Sequence, residues 1–257
     1  MNLVVPLVVA LPLVVAALLA AVGTHLPRVL PDSIAIGTAA AVTGISLLLL
    51  LSSGEHPIVY WFGGWRPVAG PEHVLAPGIA FVIDSFAAAE AALAGLAVLA
   101  TLIFAWRYFE HVRHLFHALM LAFLAGMVGF ALSGDLFNIF VFFELMSVAG
   151  YALCAYRVEQ PDVLQGSLNF AILNSIGAFA MLMGIAMLYG STGALEPGRY
   201  RLRVSPAAPD RPGGRFPHAD HGWLPGQSRR GAVSFLAFRC LRGGHRRRRG
   251  NLHRGHG

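Results

Sequence analysis

A single charged side chain interrupts a long apolar segment in the middle of the sequence. The segment runs from Leu136 to Tyr156, and Glu144 lies near its centre. About 20 residues of α-helix cross a hydrocarbon core roughly 30 Å thick, so a helix here places the carboxylate near the bilayer midplane. Such a carboxylate costs about 2.5 to 3.5 kcal/mol and usually faces a bundle interior or a proton path. The alternative is a structural carboxylate that is hydrogen-bonded to a neighbouring helix.

Two more acids, Asp84 and Glu90, fall within the apolar segment that we number as the third span. They are six residues apart and therefore lie on different faces of a helix, since helical neighbours are three and four residues apart. Asp84 suits the membrane interface. Glu90 is deeper, so we expect it to face protein or water, in either a structural or a proton-conducting role.

Three histidines, His111, His114 and His117, recur at every third residue where the fourth span begins. A haem-binding role requires imidazoles that face a cofactor cavity. These three cluster near the expected membrane surface beside Arg113, so the pattern favours a wetted cytoplasmic face that admits protons.

The sixth apolar segment is partly polar because it contains Asn169, Asn174 and Ser175. Polar residues inside a span can form hydrogen bonds between helices, or they can line a hydrated path. The sequence leaves both interpretations open.

Composition identifies an integral membrane protein. The chain is 56% hydrophobic and 12% charged, with a mean hydropathy of +0.63, whereas about a quarter of the residues are charged in a soluble domain. Cys154 and Cys240 lie far apart and form no CxxC motif. This pattern indicates neither a disulfide scaffold nor a thiolate metal site, and we predict no cofactor.

Hydropathy predicts an all-α, polytopic transmembrane helix bundle with about six spans. Turn-forming residues and charged clusters separate the apolar segments. The predicted spans are about 3–22, 34–52, 78–105, 115–133, 136–156 and 168–190.

Short-loop arginines predict the orientation. The loops after spans one, three and five contain Arg28, Arg107, Arg113 and Arg157, whereas the loops after spans two and four contain only Arg66. Positive charge marks the cytoplasmic side, so the N-terminus is predicted to lie outside.

The last part of the chain has a different character. Residues 1–195 contain five Arg and ten acids, a net charge of −5, whereas residues 196–257 contain fourteen Arg and three acids, a net charge of +11. We therefore divide the chain into a transmembrane domain, 1–195, and a basic tail rich in Arg, Gly and Pro, 196–257, which we predict to be disordered. With six spans and the N-terminus outside, the tail is also predicted to lie outside. A nucleic-acid-binding role is disfavoured for a basic tail on that side of the membrane.

Two segments carry a family resemblance, SGDLFNIFVFFELMSVAGYALCAY and LNFAILNSIGAFAMLMGIAMLYGSTGAL. They resemble the antiporter-like membrane subunits shared by respiratory complex I (NADH-quinone oxidoreductase), the multisubunit Na+/H+ antiporters and the type 4 hydrogenases. The resemblance covers about residues 55–195. It implies a location in a bacterial inner membrane, other membrane subunits as partners, and redox chemistry that belongs to those subunits.

In that family a glutamate on the fifth helix acts with a lysine from a later Lys-Ala-Ala-x-x-Pro-Phe-His-x-Trp-Leu type of motif. The glutamate corresponds to Glu144, but this chain contains no lysine. Synonymous codons for the segment from Pro225 to Cys240 can be chosen so that, when the reading frame is shifted by one nucleotide and begins at the second base of each codon, they encode a sequence close to that motif. We therefore expect a change of reading frame near residues 196–199, with a missense tail after it.

The resemblance and the residues together predict a subunit that translocates protons, with Na+/H+ antiport as a variant of that activity. Glu144 is the predicted proton-binding residue, and Glu90, His114 and His117 are predicted to line a hydrated route. Two alternatives stay open at this stage. One is a structural or assembly membrane protein without an ion path, and the other is a haem-binding electron-transfer subunit.

Resequencing of the coding DNA from codon 190 past the present stop tests the frame hypothesis. We expect the neighbouring frame to encode the lysine motif and further apolar spans. A neighbouring frame that is closed by stop codons would show instead that the basic tail is genuine, and the lysine-dependent mechanism would not apply to this chain.

Overall fold

Six long helices dominate the protein, as seen in a computed structural model that describes residues 4–27, 29–53, 57–62, 79–108, 114–156, 161–192 and 195. All six are long and apolar enough to cross a membrane. This confirms the predicted all-α bundle, while the basic tail lies outside the described residues. The helices are α1 (Val4–Val22), α2 (Val29–Ser52), α3 (Ser85–Tyr108), α4 (His114–Leu132), α5 (Leu136–Cys154) and α6 (Pro161–Thr192).

The predicted start of the third span, at residue 78, is wrong. Residues Ala80–Ile83 instead form a strand, β2, which pairs antiparallel with β1 (Ile58–Trp61). Asp84 then caps α3, because its Oδ1 accepts a hydrogen bond of 2.6 Å from the backbone N–H of Ala87. A capping carboxylate satisfies a helix N–H that has no partner within the helix, and this fixes where α3 begins.

Helices α2 and α6 also begin earlier than predicted. α2 begins at Val29, with Asp32 in its first turn, and α6 begins at Pro161, with Asp162 in its first turn. Proline is well suited to the first position of a helix, where no N–H is needed, and acids there complement the helix dipole. Hydropathy placed these starts too late because the first turns are polar.

The central helix of the bundle is α4, which packs against α1, α2, α3 and α5. In its most apolar stretch 67% of the residues are buried inside the protein, compared with 11% in α6. The apolar core around α4 includes Leu121, Leu124 and Val128, which are completely buried. α4 is therefore the helix on which the others are arranged.

Small residues allow the closest helix contacts. A Cβ atom added at Gly126 of α4 would lie 2.8 Å from the backbone nitrogen of Met146 in α5, and a Cβ at Gly129 would overlap the ring of Phe142. Helices in membranes associate through such close backbone approaches, since burial in the lipid already satisfies apolar side chains. The α4–α5 pair is held by contacts of this kind.

We predict that Gly126→Ala lowers the free energy of unfolding by about 1 to 3 kcal/mol, because the new methyl group meets the backbone of α5, which cannot rotate away. Gly177→Ala on α6 is the matched control, since nothing lies within 4 Å of its added Cβ. Unfolding in mixed detergent micelles measures both. Equal stability of the two variants would show that α4 and α5 do not approach as closely as described.

Candidate functional site

The start of α5 is fixed by a small network of hydrogen bonds. Asp135 caps the helix, since its Oδ1 accepts a 2.7 Å hydrogen bond from the N–H of Asn138. The side-chain amide of Asn138 donates to Ser133 Oγ at 3.0 Å, and that hydroxyl donates to the carbonyl of Gly129 at 2.6 Å. The end of α4 and the start of α5 are thereby locked together.

The same turn is attached to strand β2. The N–H of Gly134 donates to the carbonyl of Ala80 at 2.8 Å, and a Cβ at Gly134 would lie 2.9 Å from that oxygen. Burial raises the pKa of Asp135, against the lowering effect of hydrogen bonds from nearby backbone N–H groups. These contacts fix the start of α5 relative to the end of α4 and to strand β2.

Glu144 is the ninth of the nineteen residues of α5 and therefore lies near the middle of this span. Its side chain is partly buried, and one oxygen, Oε1, is enclosed by protein and has no hydrogen-bond partner among the described residues. Val141 and Val148, on the turns before and after, are 43% and 46% exposed. Glu144 thus lies at the edge of a face of α5 that the described helices leave open.

The contact between α5 and α6 shows which way Glu144 faces. Ser167 Oγ of α6 donates to the carbonyl of Tyr151 at 2.7 Å, and the rings of Tyr151 and Phe170 lie 6.3 Å apart. Glu144 precedes Tyr151 by seven residues, almost two full turns, so both side chains point from the same face of α5. Glu144 therefore faces α6.

The predicted polar residues of span six separate in the structure. Asn169 is exposed, Ser175 is partly buried and Asn174 is buried against the rest of the bundle. Glu90 is partly buried on α3, whose main neighbours are α2 and α4. The main neighbours of α5 are α4 and α6. Helices α3 and α5 are therefore not main neighbours of each other, and the structure does not bring the predicted site residues Glu90 and Glu144 together through a direct helix pair.

His117 was predicted to lie on a wetted face, and this is wrong. The side chain is 2% exposed, and its Nε2 lies 2.8 Å from Oδ1 of Asp32 on α2, which is 20% exposed. Neighbouring His114 is partly exposed and packs against Gly23 at the end of α1, where an added Cβ would lie 2.5 Å from the His114 Cβ. His111 lies outside the described residues.

Asp32 is the residue that sequence reasoning missed. The order of the spans could have indicated this contact. Successive helices alternate in direction, so α2 and α4 begin on the same side of the membrane. Acidic and imidazole groups in the first turns of two such helices are able to meet. The resulting pair joins α2 to α4 at the end of the bundle opposite to Asp135.

The fold and this site define the class of protein, an integral membrane helix bundle with a carboxylate inside one span. Residues 133–199, which include Glu144, match the family described as NADH:quinone oxidoreductase/Mrp antiporter, TM. A curated relative from Staphylococcus aureus, described as antiporter subunit mnhD2, is 30% identical over 180 residues, which are 68% of this chain and 34% of the relative. This chain thus spans about a third of the length of that relative.

Solved structures agree with this assignment. A chain of the Mrp complex from Dietzia sp. is 26% identical with a TM-score of 0.67, and the match covers 77% of this chain and 36% of that one. The archaeal membrane-bound sulfane sulfur reductase gives 25% identity and a TM-score of 0.70 over 78% of this chain and 40% of its own. Respiratory complex I from Thermus thermophilus also matches, with 25% identity and a TM-score of 0.56 over 74% and 38%. The chain belongs to the family of antiporter-like membrane subunits.

We predict that Asp32→Ala lowers the free energy of unfolding by about 2 kcal/mol, since it removes the carboxylate that lies 2.8 Å from the buried ring of His117. The variant also removes an acid from the first turn of α2 and with it a favourable interaction with the helix dipole. A double-mutant cycle with His117→Gln measures the coupling. Additive effects in that cycle would show that the pair contributes nothing beyond the dipole term.

Proposed function

We propose that this chain forms part of a proton-translocating subunit within a multisubunit membrane complex, and that Glu144 binds and releases the transported proton. The observation that carries the proposal is the position of Glu144, in the middle of α5 with one carboxylate oxygen enclosed by protein. A carboxyl group at this depth is much more stable neutral than charged, so proton uptake and release there respond strongly to nearby charge.

Release of the proton requires compensation for the ionised carboxylate. A cation near an acid favours its charged form. The lysine that the family resemblance pairs with this glutamate is absent from this chain, and we infer that a cation from another polypeptide segment takes its place. The open face beside Val141 and Val148 is where such a segment would reach Glu144.

The weaker site residues are proposed to lie along the route between Glu144 and the membrane surfaces. His114 and His117 belong to the end of the bundle where α1, α3 and α5 terminate, which the arginine pattern predicts to be cytoplasmic. The contact between His117 and partly exposed Asp32 connects a buried imidazole to solvent. Glu90 is proposed to contribute from α3. We propose that the membrane is a bacterial inner membrane, and the arginine pattern supports an N-terminus on its outer side.

The two alternative functions make different demands on the site. A haem-binding subunit needs a free imidazole nitrogen that faces a cofactor, whereas His117 Nε2 contacts Asp32. A structural role for Glu144 requires a hydrogen bond from a neighbouring helix, whereas Glu144 Oε1 accepts none from the described residues. The geometry favours proton translocation.

We predict that Glu144→Gln lowers proton translocation by roughly a hundredfold, since glutamine has the same shape but cannot take up the proton. Acidification of inverted membrane vesicles that contain the assembled complex, followed with a pH-sensitive dye, measures this. Leu48→Gln is the control, because it adds the same amide at an exposed position of α2 and retains the carboxylate. Full translocation by an assembled Glu144→Gln complex would support the structural role instead.

A further inference from the structure

The register between α5 and α6 brings a polar residue of α6 to the level of Glu144. Ser167 and Tyr151 are in contact through the 2.7 Å hydrogen bond. Because the two helices are antiparallel, Glu144, seven residues before Tyr151, lies at the same depth as Asn174, seven residues after Ser167. Seven residues correspond to about 10.5 Å and nearly two turns, so Asn174 also keeps the face that Ser167 turns toward α5.

Ser147 completes this group. It lies three residues after Glu144, so the two side chains are neighbours on the surface of α5. Ser147 is 4% exposed and Asn174 is 9% exposed. Each has a buried polar atom, Oγ in Ser147 and Nδ2 in Asn174, that forms no hydrogen bond with any described residue, as is true of Glu144 Oε1.

Three buried polar atoms of one helix pair, all within about one turn of the depth of Glu144, therefore have no partner among the described residues. Buried polar groups are nearly always hydrogen-bonded, and exceptions indicate an ordered water or ion. Ser133 and Ser167 donate to backbone carbonyls, whereas Ser46 Oγ on α2 is also buried without a partner among the described residues but lies on a different helix pair. The polar group formed by Glu144, Ser147 and Asn174 has the composition of a site for a small polar ligand.

We propose that Ser147 and Asn174 hold a water molecule against the carboxylate of Glu144. The amide N–H of Asn174 donates to the water oxygen, the water donates to Glu144 Oε1, and the Ser147 hydroxyl provides a third partner. A buried water typically has two to four polar partners, and these three side chains supply that number. Ser147 and Asn174 are positioning residues in this arrangement, because they act on the proton only through the water.

The ligand is water rather than a bare cation because the site presents an N–H donor. An amide NH2 group has no acceptor capacity and directs positive charge into the site, whereas Na+ requires several oxygen ligands. The inference rests on the proposed function, in which Glu144 exchanges a proton. When Glu144 Oε1 releases its proton to the water oxygen, the water gives up one of its other protons to the next acceptor on the route, so no hydronium is held in the site. Uptake by Glu144 runs through the same steps in reverse, and the water is therefore the immediate proton donor and acceptor for the carboxyl group.

Infrared difference spectroscopy on the full chain in lipid nanodiscs tests this proposal. The carboxyl C=O band of Glu144 is identified by its disappearance in Glu144→Gln, and the bound water by an O–H band that shifts on exchange into H2(18)O. We expect Asn174→Leu and Ser147→Ala each to abolish or move the water band and to shift the Glu144 band to higher wavenumber. Asn169→Leu, an exposed asparagine on the same helix, should change neither band.

The outcomes separate this inference from the proposed function. If Asn174→Leu fails to reach wild-type helix content by circular dichroism, Ser147→Ala, which removes only one hydroxyl, decides the question alone. Unchanged bands in a folded variant overturn the water site while leaving the role of Glu144 intact. A Glu144 band that responds to added NaCl and is indifferent to H2(18)O also overturns it, in favour of a cation site. Loss of translocation in Glu144→Gln tests the proposed function separately.

Discussion

The close approach of α4 and α5 is the contact on which the rest of this structure depends. Gly126 and Gly129 let the backbone and side chains of α5 reach the surface of α4 without a gap. Because α4 is also the helix that α1, α2 and α3 pack against, its contact with α5 transmits the position of the core to the helix that carries Glu144. Lipid offers no hydrophobic force to pull two apolar helices together, so backbone proximity at small residues has to supply the attraction.

Polar contacts fix the two ends of the bundle in different ways. At one end the turn between α4 and α5 is held by the Asp135 cap and by the hydrogen bond from Gly134 to Ala80. At the other end the pair formed by Asp32 and His117 connects the first turns of α2 and α4. Between them the helices are almost wholly apolar. Glu144 is thus a polar exception held at a defined depth by anchors that lie outside the hydrocarbon region.

The outer surface of α5 and α6 distinguishes this part of the molecule from the core. Large apolar side chains such as Phe179, Met183 and Met187 are 65 to 72% exposed on α6. In a membrane this surface contacts lipid or further helices without cost. The curated relative is about three times as long as the matched region, and related chains occur in multisubunit complexes. The open edge beside Glu144 is where we propose that another polypeptide segment reaches the site.

The sequence alone determined the number of spans and the depth of Glu144, because both follow from the cost of placing each residue in hydrocarbon, which is a local property. It also identified the family through residues around Glu144. It placed the start of α3 wrongly, since an apolar strand and an apolar helix have the same hydropathy. Only the tertiary structure showed that Asp32 meets His117 and that Ser167 of α6 meets Tyr151 of α5, the contact from which the level of Asn174 follows. Those contacts depend on the rotation and register of each helix against its neighbours, and helices that are apolar on every side contain no periodic signal from which the rotation could be read.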